Sequence, residues 1–343
     1  MEYRNLGKTD IKVSSLCLGT MTWGEQNTQD EAFQQLDRAT DYGINFIDTA
    51  ELYPVPPKSE TYTKTESIIG QWLKQRGRHD DLVIATKISG PGMAYMDGGR
   101  QFNKKHLNLA VESSLQRLGI ETIDLYQLHW PERQTNFFGK LGYEHTEHED
   151  GTPIQETLEA LDDLVKAGKI KHYGLSNETP WGAMQYLELS KSLDKPRAIS
   201  IQNPYNLLNR TFEVGLAEIA HREQLGLLAY SPMAFGALSG KYLNNQWPEN
   251  ARLTLYKRFS RYSNPQAQAA IERYVGIAHE AGLDPAQMAL AFVTSRPFVT
   301  STIIGATTME QLEANLLSSE LELSEDILTA ISAEHTRQPN PSP

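Results

Sequence analysis

Along the chain, short runs of apolar and β-branched residues alternate with longer stretches whose apolar positions fall at helical spacing. Such alternation predicts βαβ units around a parallel sheet. Eight strands are expected: "LCLGT" from Leu16, "NFIDTA" from Asn45, "LVIATK" from Leu82, "IDLYQLH" from Ile123, "KHYGLSN" from Lys171, "AISIQNPYN" from Ala198, "GLLAYSP" from Gly226 and "TSTIIGAT" from Thr300. Helical patterns between them include "EAFQQLDRATDYG", "ESIIGQWLKQRG", "HLNLAVESSLQRLG", "IQETLEALDDLVKAGK" and "MEQLEANLLSS", several closing on glycine or a basic residue as helix C-termini prefer.

Eight such units joined by right-handed crossovers predict an α/β chain forming a single-domain (β/α)8 TIM barrel over residues 1–338, with 339–343 as a frayed tail. An open doubly wound sheet is the competing architecture. It would bind a dinucleotide through G-x-G-x-x-G after the first strand, but "MTWGEQ" follows there, and in "GPGMAY" Tyr95 stands where the last glycine belongs. Residues 89–103, 131–153 and 232–265 form connections too long for a bare barrel. Each follows a strand, so all three should rise over the C-terminal face and cover a site.

Composition, 39% hydrophobic and 22% charged, is that of an ordinary soluble globular protein. A net charge of -11, from 43 acidic and 32 basic residues, speaks against nucleic acid or an anionic membrane surface as partner. Cys17 is the sole cysteine, so no internal disulfide forms and a reducing compartment is expected. With neither an apolar leader at the start nor any run of about 20 apolar residues, the expected location is cytoplasmic. Oligomeric state is left open.

Polar residues gather at the strand ends: Asp48, Lys87, Gln127 and His129, Ser176 and Asn177, Gln202 and Asn203, Ser231, Gly305 and Thr307. In a barrel these converge on one rim, where active sites sit. Tyr53 follows Asp48 by a short step. A phenol with a reference pKa of about 10 becomes a better proton donor beside an ammonium, which Lys87 can supply and Asp48 can keep charged. His129 can orient a carbonyl oxygen or relay the proton. Each residue also has a plain reading: Asp48 as a turn cap, Lys87 as a surface charge, His129 as a structural histidine, Tyr53 as packing.

Asp48, Tyr53, Lys87 and His129, in that order on successive strands, resemble the catalytic tetrad of the aldo-keto reductases. The likeness extends through "LGKTDIKVSSLCLGTMTWG", "GINFIDTAELYP", "ATK", "LHW", "GKIKHYGLSN", "IQNPYNLLNR", "LLAYSPMAFGALSGKY" and "STIIGATTMEQLEANL", roughly residues 3 to 335. Within the family the chain looks most like the bacterial Tas-type reductases, related to the potassium-channel β-subunit branch.

The resemblance implies NADPH/NADP+ held without a Rossmann fold. By motif, Ser176, Asn177 and Gln202 would hold the nicotinamide carboxamide and Tyr230 would lie at the ring. Residues 231–241 would close over the pyrophosphate, through Ser231, Pro232, Met233, Phe235, Gly236, Leu238, Gly240 and Lys241. Gly305, Thr307, Gln311 and Asn315 would border the 2′-phosphate. Basic residues common there in the family are absent, since Thr307, Thr308 and Met309 stand instead, and Ala314 replaces an acid of the channel-subunit branch. Arg252 or Arg258 is expected to compensate, and NADPH is favoured over NADH. Trp23, Trp130, Phe137 and Phe138 are candidates for the substrate pocket, with Tyr143 adding to an apolar or aromatic wall.

The implied function is NADPH-dependent reduction of aldehydes or ketones, with a small-molecule carbonyl as partner and no metal. Two alternatives stay open: a cofactor-binding regulatory or redox-sensing subunit with slow turnover, and a Schiff-base aldolase using Lys87. "EHTEHED", residues 144–150, lacks a zinc spacing and reads as a solvated loop. His106, His172, His221, His279 and His335 are assigned no role, and Cys17 is expected in the core.

Overall fold

The computed structural model describes residues 1–96, 98–147 and 151–342. A hairpin of β1 (Tyr3–Asn5) and β2 (Lys12–Ser14) precedes eight parallel strands: β3 (Leu16–Gly19), β4 (Phe46–Asp48), β5 (Val83–Ile88), β6 (Ile123–Leu128), β7 (Ile170–Ser176), β8 (Ser200–Pro204), β9 (Gly226–Tyr230) and β10 (Val299–Ile304). These eight close into a barrel, β10 pairing with both β9 and β3. All eight expected strands are present, and the architecture is the (β/α)8 barrel.

The helices are α1 (Gln29–Asp41), α2 (Lys64–Arg76), α3 (Lys104–Leu118), α4 (Ile154–Lys166), α5 (Pro180–Ser192), α6 (Leu216–Glu223), α7 (Arg252–Leu255), α8 (Pro265–Glu280), α9 (Pro285–Thr294), α10 (Met309–Leu317) and α11 (Glu325–Arg337). Their ends are written locally. Thr28 and Glu31 form a reciprocal capping box at the start of α1, whereas Gly77 and Gly119 adopt the left-handed conformation that closes α2 and α3.

Strand parity explains how one barrel holds both a core and a site. Cys17, Phe46, Val83, Ala85, Leu125 and Leu228 form an inner apolar cluster, and Leu6 and Val13 of the hairpin stopper its lower end. Two residues further along the same strands come Asp48, Lys87 and Gln127, on the same inward parity but one layer higher. Apolar layers therefore lie beneath a polar one. The outer parity packs against the helices, with Leu16, Leu18, Ile47, Ile84 and Tyr126 in the larger cluster.

The three long connections all contribute walls to one cavity of about 1510 Å³ at the C-terminal face. The tail, expected to fray, makes hydrogen bonds: Asn340 Oδ1 accepts from the Arg210 amide, Asn264 Nδ2 donates to the Pro341 carbonyl and Ser342 Oγ, and the Ser342 amide donates to Leu208. Pro341 and Ser342 line the cavity. Among the described residues, no helix is long and apolar enough to cross a membrane.

Candidate active site

Asp48 ends β4 with its side chain 3% exposed, and Lys87, on β5, is fully buried beside it. Lys87 Nζ donates to Asp48 Oδ2 at 2.6 Å and to the Thr49 carbonyl at 2.7 Å. The other carboxylate oxygen, Oδ1, accepts from Gln127 Nε2 and Gln202 Nε2, each at 2.9 Å. Gln202 Nε2 also reaches Gln127 Oε1 at 3.0 Å. A buried charge pair keeps its charges only when the remaining lone pairs find donors, and here both carboxylate oxygens do.

Tyr53 leads out of this layer into the cavity. The ammonium of Lys87 lies 5.1 Å from the Tyr53 ring centre, and the His129 ring meets Tyr53 edge to face at 5.9 Å. Burial holds the Tyr53 pKa above its ordinary value; the charge and hydrogen bond of Lys87 and the field of Arg252 pull downward without prevailing, because Asp48 pushes the other way. The acidity expected from Lys87 is thus a moderation rather than a net lowering, and Tyr53 keeps its proton at neutral pH.

Burial is also the largest influence on Lys87 and opposes its charge, yet Asp48 and Tyr53 outweigh it and leave the ammonium's pKa above the usual range. His129 goes the other way. Burial and then the Lys87 charge hold it well below the usual histidine value, so the imidazole is neutral, and its Nδ1 is buried without a hydrogen-bond partner. Asp48, Tyr53 and His129 line the cavity, while Lys87 sits just behind it.

Around this centre the strand ends are knitted together. Asn177, with φ of 54°, donates through Nδ2 to the His129 carbonyl and to Ser176 Oγ, and its Oδ1 accepts from the Tyr230 hydroxyl at 2.6 Å. Ser176 Oγ donates to the Gln202 carbonyl. Ser176, Asn177, Gln202 and Tyr230 all line the cavity, but the Gln202 amide donates to Asp48 and Gln127, not outward.

Beyond them, Ser231, Pro232, Met233, Phe235, Gly236 and Lys241 form part of the wall. Ser231, Ala234 and Phe235 hold positive φ in tight turns, within which the Ala234 amide donates to the Ser231 carbonyl and the Gly236 amide to that of Met233. Gly236 follows with φ of 86°, a conformation that residues other than glycine rarely adopt, and lies beside the Lys241 ammonium. Gly305, Thr307, Gln311 and Asn315 line the same cavity; Gln311 Oε1 accepts from the amide and hydroxyl of Thr307, and Asn315 Nδ2 donates to the Gly305 carbonyl. Arg252 and Arg258 line it too, Arg252 within electrostatic reach of Tyr53 and Lys241, Arg258 of Tyr95. Among the described residues, Lys241, Arg252, Arg258 and Arg261 form no ion pair with a carboxylate.

Three expectations are corrected. Trp23 does not reach the cavity, because its indole packs in the core and donates to Gln35 Oε1 at 3.1 Å. Leu238 turns into the core at 1% exposure, and Gly240 faces Val275. Both lie in the same turns as the cavity-lining residues Ser231, Phe235 and Gly236, but on their inner side.

Trp130, Phe137 and Phe138 do line the cavity, with ring centres 5.6 Å apart for Trp130 and Phe138 and 5.2 Å for the two phenylalanines. Trp130 can approach the backbone only because Gly90 lacks a Cβ, which would overlap the indole. Tyr143 is largely exposed, and Cys17 is buried as expected. Among the described residues, no His, Cys, Asp and Glu side chains gather as a metal-binding group, and His148, Glu149 and Asp150 of the acidic loop lie outside the described residues.

Gln127 was visible in sequence as a rim residue but given no role. The register that pairs Lys87 with Gln127 supplies it. Arg261, which also lines the cavity, was not singled out in the sequence.

Comparison with known proteins agrees with this geometry. A model described as "Aldo/keto reductase family" matches residues 15–334. The chain is 51% identical to "Protein tas" of Escherichia coli (strain K12), covering all of both chains. It is 34% identical to "Uncharacterized oxidoreductase YrpG" of Bacillus subtilis (strain 168), over 96% of this chain and 94% of that one. It is 32% identical to "Probable voltage-gated potassium channel subunit beta" of Arabidopsis thaliana, over 92% and 90%.

Proposed function

Because the chain belongs to the aldo/keto reductase family, and is thereby an oxidoreductase, we propose that it reduces aldehydes or ketones to alcohols with NADPH. The observation that carries this reading is the buried Asp48 and Lys87 pair at 2.6 Å beneath a protonated Tyr53, with neutral His129 at its edge.

The residues present fit the nucleotide. In a protein of net charge -11, Lys241, Arg252 and Arg258 on one cavity wall lack carboxylate partners among the described residues, and NADPH carries a diphosphate plus a 2′-phosphate. Lys241, whose ammonium lies beside Gly236 on the cavity wall, suits the diphosphate. Arg252 or Arg258 is the candidate for the 2′-phosphate, beside Thr307, Gln311 and Asn315. This charge matching favours NADPH over NADH. When bound, NADPH supplies the hydride that reaches the carbonyl carbon.

Tyr53 donates its proton to the carbonyl oxygen as the C=O π bond breaks, and recovers a proton from solvent afterwards. Lys87 stabilises the phenolate left behind, and Asp48 keeps Lys87 charged. His129, neutral, orients the carbonyl oxygen.

The Tyr53→Phe variant tests the assignment: NADPH affinity should persist while kcat with simple aldehydes falls about 100-fold or more. Turnover near the unmodified level would remove Tyr53 from the acid role. A second reading, a regulatory or redox-sensing subunit, draws on the likeness to a protein named as a potassium channel subunit. Tight NADPH binding with negligible turnover across an aldehyde panel would favour it.

A further inference from the structure

Arg261 sits in the 3-10 turn Ser260–Tyr262 and lines the cavity. Among the described residues it has no acidic partner, and its Nη1 is buried without a hydrogen bond. Its guanidinium is flanked by rings, 6.0 Å from the Phe235 centre and 5.8 Å from that of Tyr262.

Two observations place it at the reacting end. On one side it neighbours the Tyr230 hydroxyl and opposes the rise that burial imposes on that phenol, which also feels Tyr53. On the other, a Cβ built on Gly139 would stand 2.6 Å from Arg261 Nε, so the guanidinium bears on the turn that follows Phe137 and Phe138. Arg261 therefore bridges the Tyr230 strand end and the aromatic ledge of Trp130, Phe137 and Phe138.

A half-buried guanidinium without an anion is costly, and its planar fork matches a carboxylate. One unpaired cation suits one negative charge, and the adjoining ledge suits an apolar or aromatic body. Resting on the reductase reading, we propose that the carbonyl substrate carries a carboxylate held by Arg261, with its apolar part against Trp130 and Phe138: an oxo acid or carboxylated aldehyde.

The test compares 4-carboxybenzaldehyde with its neutral methyl ester, using NADPH and the wild-type, Arg261→Gln and Arg261→Lys proteins. Arg261→Gln should lower the acid-to-ester ratio of kcat/KM about tenfold or more, mainly through KM, with Arg261→Lys between. Titration of benzoate into the NADP+-loaded protein should show the same loss without any turnover. Three results would overturn the proposal: an unchanged acid-to-ester ratio with the ester still reduced, equal benzoate affinity in wild type and Arg261→Gln, or weakened NADPH binding as the only effect. Reduction of neither aldehyde, with benzoate binding that requires Arg261, would sink the reductase reading and leave the carboxylate site standing.

Discussion

At the strand ends, Asp48 meets Lys87, Gln127 and Gln202, and each carboxylate oxygen has a donor. Along residues 241–261, Lys241, Arg252, Arg258 and Arg261 share one cavity wall and, among the described residues, form no ion pair with an acid. The first group is complete before any ligand arrives. It is fixed by β4, β5, β6 and β8, so its geometry needs no rearrangement during a reaction. The second is completed only from outside, and its members disfavour one another: after burial, the Arg252 charge is what lowers the Lys241 pKa. Folding free energy should reside in the paired charges, and binding free energy in the unpaired ones.

The largest effect expected is that of Lys87→Met, which leaves Asp48 buried without its counter-charge. A loss of about 3–5 kcal/mol in urea unfolding should accompany loss of turnover. Unchanged stability would break the contrast at its stronger pole. Next comes Lys241→Met, where NADPH affinity should fall about tenfold while the unfolding midpoint stays level or rises, because a repelled cation has gone. Destabilisation on the scale of Lys87→Met would erase the distinction between the two groups.

The smallest effect is on the pH profile. A phenol whose folded pKa is raised is the proton-bearing form everywhere below that value, so carbonyl reduction should be level through neutrality and decline only above about pH 10. His129, with its pKa depressed, stays neutral over the same range and adds no limb near pH 6.5. An alkaline decline centred near neutrality would place the acid elsewhere.

Much of this was readable from the chain, for a physical reason. Parallel strands buried on both faces appear as nearly continuous apolar runs, so a polar residue at their end is conspicuous. Asp48, Lys87 and His129 stood out in that way. The hairpin β1 and β2 did not, since three-residue strands such as "YRN" and "KVS" are too short to display a period. Trp23 misled because nearness to a rim in sequence says nothing about which way an indole turns, and here Gln35 drew it inward. Gln127 carries no charge, so only its register beside Lys87 reveals its part. Arg261 is harder still: an unpaired cation is defined by neighbours that are missing, and no sequence pattern records those.

The anchoring of Pro341 and Ser342 at the cavity wall has a practical side for anyone purifying the protein. An affinity tag placed directly after Ser342 would start from the cavity wall and compete for space with whatever enters. One fused ahead of Met1 would emerge near the hairpin, at the stoppered end of the barrel, where kinetic measurements would not feel it.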